Sequence, residues 1–100
     1  MTAGGTAFHL DAAGTSVLAS SGGGVLHTVT VGTAGSSGAL VTLHDGPDSA
    51  HPVIAVIDAS GVRVLTLDAL LNAGLTVVLA GSPDAPDVTV TVLPAPGLAG

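Results

Sequence analysis

From Val25 onward, apolar residues alternate with β-branched or polar ones in short runs cut by glycine, proline and aspartate. Runs of that length and period read as strands, because successive side chains of an extended chain point to opposite faces. The pattern predicts strands over Val25–Val31, Ala39–His44, Pro52–Asp58, Val62–Leu67, Leu75–Ala80 and Asp87–Leu93. Gly32 to Gly38 reads as a turn, and so does Ala59-Ser60-Gly61. Asp45-Gly46 is a hairpin-type pair that Pro47 keeps out of any ladder, and "GSPDAPD" reads as a hairpin loop between the last two strands. "LDALLNAG" (67–74) fits either one helical turn, with Asp68 as its cap and Gly74 as its stop, or an extension of the fourth strand. The surrounding rhythm favours the strand. Short strands with regular turn signals predict an all-β fold, a small antiparallel β-sandwich or jelly-roll-like domain.

Strict alternation assigns faces. In the first strand Val25, His27, Val29 and Val31 point one way, and Leu26, Thr28 and Thr30 the other. The third strand is apolar on both sides, with Val53, Ala55 and Ile57 opposing Ile54 and Val56. Antiparallel sheets usually offer water a polar face. A strand without one needs cover on both sides, supplied either by a central place in the sandwich or by a second copy of the chain.

Residues 1–24 differ in composition. They are rich in Gly, Ala, Ser and Thr, and "ASSGGG" (19–24) is a flexible linker by content. The division this suggests is an N-terminal arm over 1–24, a β-sandwich domain over 25–96 and a tail over 97–100. The arm reads either as a frayed terminus or as an extended flexible arm that Phe8 and Leu10 would anchor on a neighbouring subunit.

Composition sharpens the need for partners. The chain has 100 residues, and its single aromatic residue is Phe8. A domain of this size buries only roughly 60–65% of its unfolded surface. Its core must come from Val, Leu and Ile without large rings, and small scaffolds often gain stability by oligomerising. With no Cys, disulfides are excluded. Seven Asp, no Glu and one cation, Arg63, give a net charge of −6. Phosphate binding needs clustered Lys and Arg, so neither nucleic acid nor an anionic membrane is an expected partner. No run of about 20 apolar residues could span a bilayer as a helix. The N-terminus lacks the charged and apolar regions of a signal peptide, so synthesis in a cytosol is expected.

The residues carry little catalytic chemistry. His9, His27, His44 and His51 form no H-x-H or H-x-x-x-H pair, although His27 and His44 fall on successive strands and could meet across a ladder. "HDGPDS" and "SPDAPD" each hold two aspartates, but D-G-P-D is too short to wrap calcium and is sufficiently explained by turn formation. There is no G-x-S-x-G elbow, no thiol nucleophile and no phosphate-loop lysine. Neither an enzyme nor a cofactor is expected. Arg63 alternates outward from Val62 and Val64 and is expected to pair with an aspartate, in this chain or a neighbouring copy.

The segments "GVLHTVTVGTAG", "LVTLHDG", "VIAVID", "AGLTVVLAG" and "DVTVTVL" together resemble a group of small structural proteins of tailed bacteriophages. The resemblance covers about two thirds of the chain, and its motifs are structural rather than catalytic. "LDALLNAG" departs from the pattern, since relatives more often carry aromatic residues there. The resemblance implies a virion component made in a bacterial cytoplasm, such as a capsid decoration (cement) protein or a head-fibre base. It would be a homo-oligomer, a trimer being natural at capsid symmetry axes, and would bind the major capsid protein or another virion protein. The alternative is a host-surface or carbohydrate-binding β module. The residues expected at subunit or capsid contacts are Phe8, Leu10, Leu26, Thr28, Ile54, Val56 and Arg63.

Overall fold

The computed structural model describes residues 6–19 and 24–94. It contains eight strands: β1 (Thr6–Leu10), β2 (Gly14–Ala19), β3 (Gly24–Thr33), β4 (Leu40–His44), β5 (Val53–Asp58), β6 (Arg63–Leu70), β7 (Leu75–Ala80) and β8 (Asp87–Pro94). They form two antiparallel four-stranded sheets, one in the order β1-β8-β3-β6 and the other in the order β2-β7-β4-β5. β4 and β5 form a hairpin. Around it β3 pairs with β6, β2 with β7 and β1 with β8. The chain is thus one long hairpin folded over on itself, so that every connection except β4–β5 crosses between sheets. This is the jelly-roll arrangement.

The predicted all-β sandwich is therefore the fold, and the six predicted strands lie within a few residues of β3 to β8. "LDALLNAG" resolves as strand as far as Leu70, followed by a turn. "GSPDAPD" joins strands of different sheets, so it is not the hairpin loop expected, and Ala59-Ser60-Gly61 likewise carries the chain from one sheet to the other.

The arm needs a larger correction. Thr6–Leu10 is an edge strand on β8, with Phe8 opposite Val90 and Leu10 opposite Val88. Gly14–Ala19 is an edge strand on β7. Both segments belong to the sandwich. Their small residues gave no local signal, because what orders them is a ladder with residues 56 to 86 positions away. The N-terminal residues 1–5, the linker's residues 20–23 and the tail 97–100 lie outside the described residues.

The core lies between the central strands. Val29 pairs with Val90 and Val31 with Val88 in one sheet. In the other, Val41 pairs with Leu79 and Leu43 with Val77. All eight are buried, together with Leu26, Leu71, Leu75, Ile57, Ala39 and Ala59. Burying each valine or leucine contributes about 1.5–3 kcal/mol, and β-branched side chains suit the pleated surface.

Register shifts occur in β2, at two places in β3 and between β4 and β5, and two of these change the expected faces of candidate contact residues. At the first, Leu26 faces Val92 and Thr28 faces Thr91, so His27 is an extra residue on β3. The face flips there, and Leu26 joins Val29 and Val31 in the core. At the second, Leu43 faces Ala55 and His44 faces Val53, leaving Ile54 extra on β5. Ile54 packs against the core while Val56 remains exposed.

The loops at both ends are tied down. Residues 45–52 lie over one end of β4 and β7: Thr76 Oγ1 donates to the Gly46 carbonyl (2.8 Å), and His44 Nδ1 donates to that of His51 (2.9 Å). Thr76 and His44 face outward by register, and this cover accounts for their burial. At the other end Gly35 N–H donates to the Ala59 carbonyl (2.9 Å) and Ser36 N–H to that of Asp84 (3.0 Å). A Cβ on Gly35 would lie 2.7 Å from the Ala39 Cβ and 2.9 Å from Pro86 N, so only glycine fits that approach.

Candidate functional site

Register and burial define two outer faces. On the β1-β8-β3-β6 sheet one row runs Ala7, Thr91, Thr28, Thr66 and the next His9, Thr89, Thr30, Val64. Val25, Leu93 and Leu70 line up beyond the bulge. On the β2-β7-β4-β5 sheet a row runs Thr15, Val78, Thr42, Val56. The exposed large apolar residues among those described are Val17, Leu40, Val53, Val56, Val62, Val64 and Leu70, from 40% to 69% exposed. Single exposed apolar residues are ordinary on a protein surface. Here they recur on both outer faces, with threonine and alanine between them.

The aspartates sit at loops and strand ends. The Asp45 carboxylate spans from the β4–β5 loop to the β6–β7 turn, accepting the N–H groups of Asn72 (2.9 and 3.1 Å) and Ala73 (2.8 Å) and the Asn72 side-chain amide (3.3 Å). Partial burial works against its charge, but these donors and the Gly74 N–H outweigh it and hold the carboxyl below its ordinary range. Asp48 is lowered first by the His51 ring N–H (2.8 Å), then by the Ala50 N–H. Asp58 is lowered first by the Ser60 hydroxyl (2.6 Å), then by the Ser60 N–H (2.9 Å). Two further histidines donate to carboxylates on the first outer face: His27 Nδ1 to Asp68 (2.5 Å), and His9 Nε2 to Asp87.

These pairs stay separate. Among the described residues no group of three or more His and Asp side chains could hold a metal ion. His27 and His44 do not meet across a ladder, because the β3–β4 connection crosses between sheets. Among the described residues no helix is long and apolar enough to cross a membrane.

The residues expected at contacts are distributed as follows. Val56 stands 57% exposed, next to Thr42 on one outer face, and Thr28 is half-buried on the other. Arg63 is exposed at the start of β6, but it stands opposite buried Val31, while Val64 stands opposite Thr30 on the outer row. Val64 and not Arg63 therefore takes the outward position, and the expected ion pair with an aspartate does not form among the described residues. Phe8 and Leu10 are half-buried on the core-facing side of β1. Leu26 is fully buried, so it has no surface to present. Ile54 is half-buried and turned inward by its bulge. Sequence reasoning missed Val17, Leu40, Val53, Val62, Val64 and Leu70. The available signal was alternation through Val62-Arg63-Val64-Leu65, which leaves apolar residues on both faces of β6. Comparison of the chain with protein-family models, curated proteins and solved structures finds no match.

Proposed function

We propose that this chain is a non-enzymatic structural component of a phage virion, a capsid decoration protein that docks on the particle surface through apolar and shape-complementary contacts and self-associates. The observation that carries the reading is the surface. Two outer faces present Val17, Leu40, Val53, Val56, Val64 and Leu70 mostly among uncharged small residues. The acidic groups lie in loops and at strand ends, except Asp68 within β6, and the two that reach the first face, Asp68 and Asp87, are each paired there with a histidine, His27 and His9. Such faces exclude water against a partner without burying unpaired charge.

The sequence motifs that resemble phage structural proteins supply the partner. Eight-stranded jelly rolls serve as viral capsid domains and also as lectin domains, so the fold alone does not choose between particle docking and glycan binding. The surface favours docking: sugar platforms commonly use exposed Trp or Tyr, and this chain contains neither.

The test is cosedimentation of purified protein with undecorated phage particles. Binding at micromolar concentration that weakens in Val56→Asp supports the reading. No binding to particles withdraws it, and selective binding on a glycan array would put a carbohydrate-recognition module in its place.

A further inference from the structure

We propose that two copies of this chain join edge to edge along β6, antiparallel about a two-fold axis near Thr66, so that the β1-β8-β3-β6 sheet continues into its copy. The inference builds on the self-association proposed above and names the strand that mediates it.

Among the described residues β6, an eight-residue strand, pairs only with β3, which leaves the other side of its backbone open. It is longer than the other edge strands, β1, β2 and β5, which have five, six and six residues. Open edges are commonly blunted with lysine, proline or a bulge. β6 has neither lysine nor proline, and its bulge lies toward the C-terminal end, where two residues, Leu67 and Asp68, oppose His27 alone. The flanking and outward positions Val62, Val64 and Leu70 are 69%, 65% and 57% exposed.

Charge selects the occupant. Arg63, the only cation in a chain of net charge −6, begins β6, and Asp68 lies near its other end. Within its own chain Arg63 acts on Asp58 only through space, helping to lower that carboxyl, and among the described residues no carboxylate lies within ion-pair distance of it. An antiparallel two-fold at Thr66 sets Arg63 opposite Ala69 of the copy, one residue from Asp68, so the cationic end of each strand lies beside the acidic end of the other, twice over. It also sets the apolar residue before Arg63 against Leu70 of the copy. A parallel arrangement would place like charges together. The interface is isologous and closes as a dimer.

The absence of cysteine provides a clean test. Across an antiparallel ladder, residues on the two-fold face each other at about 4.5–5.5 Å between Cα atoms, within disulfide reach. Thr66→Cys is oxidised mildly alongside Thr15→Cys, which places its thiol on β2 in the other sheet, and both are read on non-reducing gels. A disulfide dimer forming at micromolar protein only in Thr66→Cys is expected; equal or no dimer in the two overturns the proposal. Sedimentation of the otherwise unaltered protein should give a dimer, weakened at least about tenfold, or 1.4 kcal/mol, by Arg63→Asp or Val64→Lys. Both variants are first checked for an unchanged melting curve. A monomer at all concentrations, or a mass that both variants leave unchanged, overturns it. Failure here with intact particle binding leaves the virion reading standing, whereas dimers that ignore particles would sink that reading alone.

Discussion

His27 and Asp68 face each other across β3 and β6, with the ring Nδ1–H donating to the carboxylate at 2.5 Å, and both sit where their ladder loses register. Asp68 has φ of +48°, the left-handed region. Short polar side chains tolerate that conformation, and a β-branched one does not. Asp68→Asn should keep the bulge at little cost, and Asp68→Gly should keep its backbone while losing only the hydrogen bond. Asp68→Val should lose about 1–2 kcal/mol from backbone strain, with the hydrogen bond in addition. Urea unfolding of the three variants checks the order; equal stability of Asp68→Val and Asp68→Asn would contradict it.

That bulge places Leu26 inside. Leu26→Ala should cost about 2–5 kcal/mol, the range for buried leucines, which is a large share of a small domain's stability. Val56→Ser, on the exposed face of β5, should change stability by no more than about 0.5 kcal/mol while weakening binding to undecorated particles. Thermal melts of both variants and cosedimentation of the second separate core from docking surface.

Gly74 makes a similar argument from the backbone. Its φ is +146°, and a Cβ there would lie 2.5 Å from the Ala19 carbonyl oxygen. Gly74→Ala should therefore destabilise by about 1–3 kcal/mol, and should do so by loosening β2, the strand to which that carbonyl belongs. Hydrogen exchange should show protection lost first across the Gly14–Ala19 ladder.

What the amino-acid order reveals follows from how local each cause is. β3 to β8 are legible because alternation and turn residues are neighbours in the chain. β1 and β2 are not, because Thr6 meets Val92 and Gly14 meets Leu79, and no short-range pattern announces a ladder closed at that distance. Face assignments fail wherever an extra residue intervenes. Leu26 and Ile54 were placed on outer surfaces by counting in twos, and His27 and Ile54 are the residues that break the count. The exposed Val62 and Val64, before and in β6, follow from the same rule, since alternation that is apolar on both sides must leave one side outside.

Acid should weaken the fold through the aspartates that cap its turns. Asp45, Asp48 and Asp58 are all held below their ordinary range by hydrogen bonds to the charged form. The unfolded chain, with aspartates titrating near about 3.9, binds protons more readily than the folded one as pH falls. Stability from these groups is therefore fully present above about pH 5 and lost progressively as pH drops below about 4, through the lowered folded values. Asp45 is the one to remove, because it alone ties two loops together. Asp45→Asn keeps the shape but turns an amide toward N–H donors that need an acceptor. It should cost about 1 kcal/mol at neutral pH, at the low end for a charged acceptor because water lies close by. The loss of stability between pH 5 and 3 should be shallower than in the unaltered chain. Unfolding midpoints measured across that range check both, and parallel curves for the two proteins would mean that Asp45 is not among the groups whose protonation opens the sandwich.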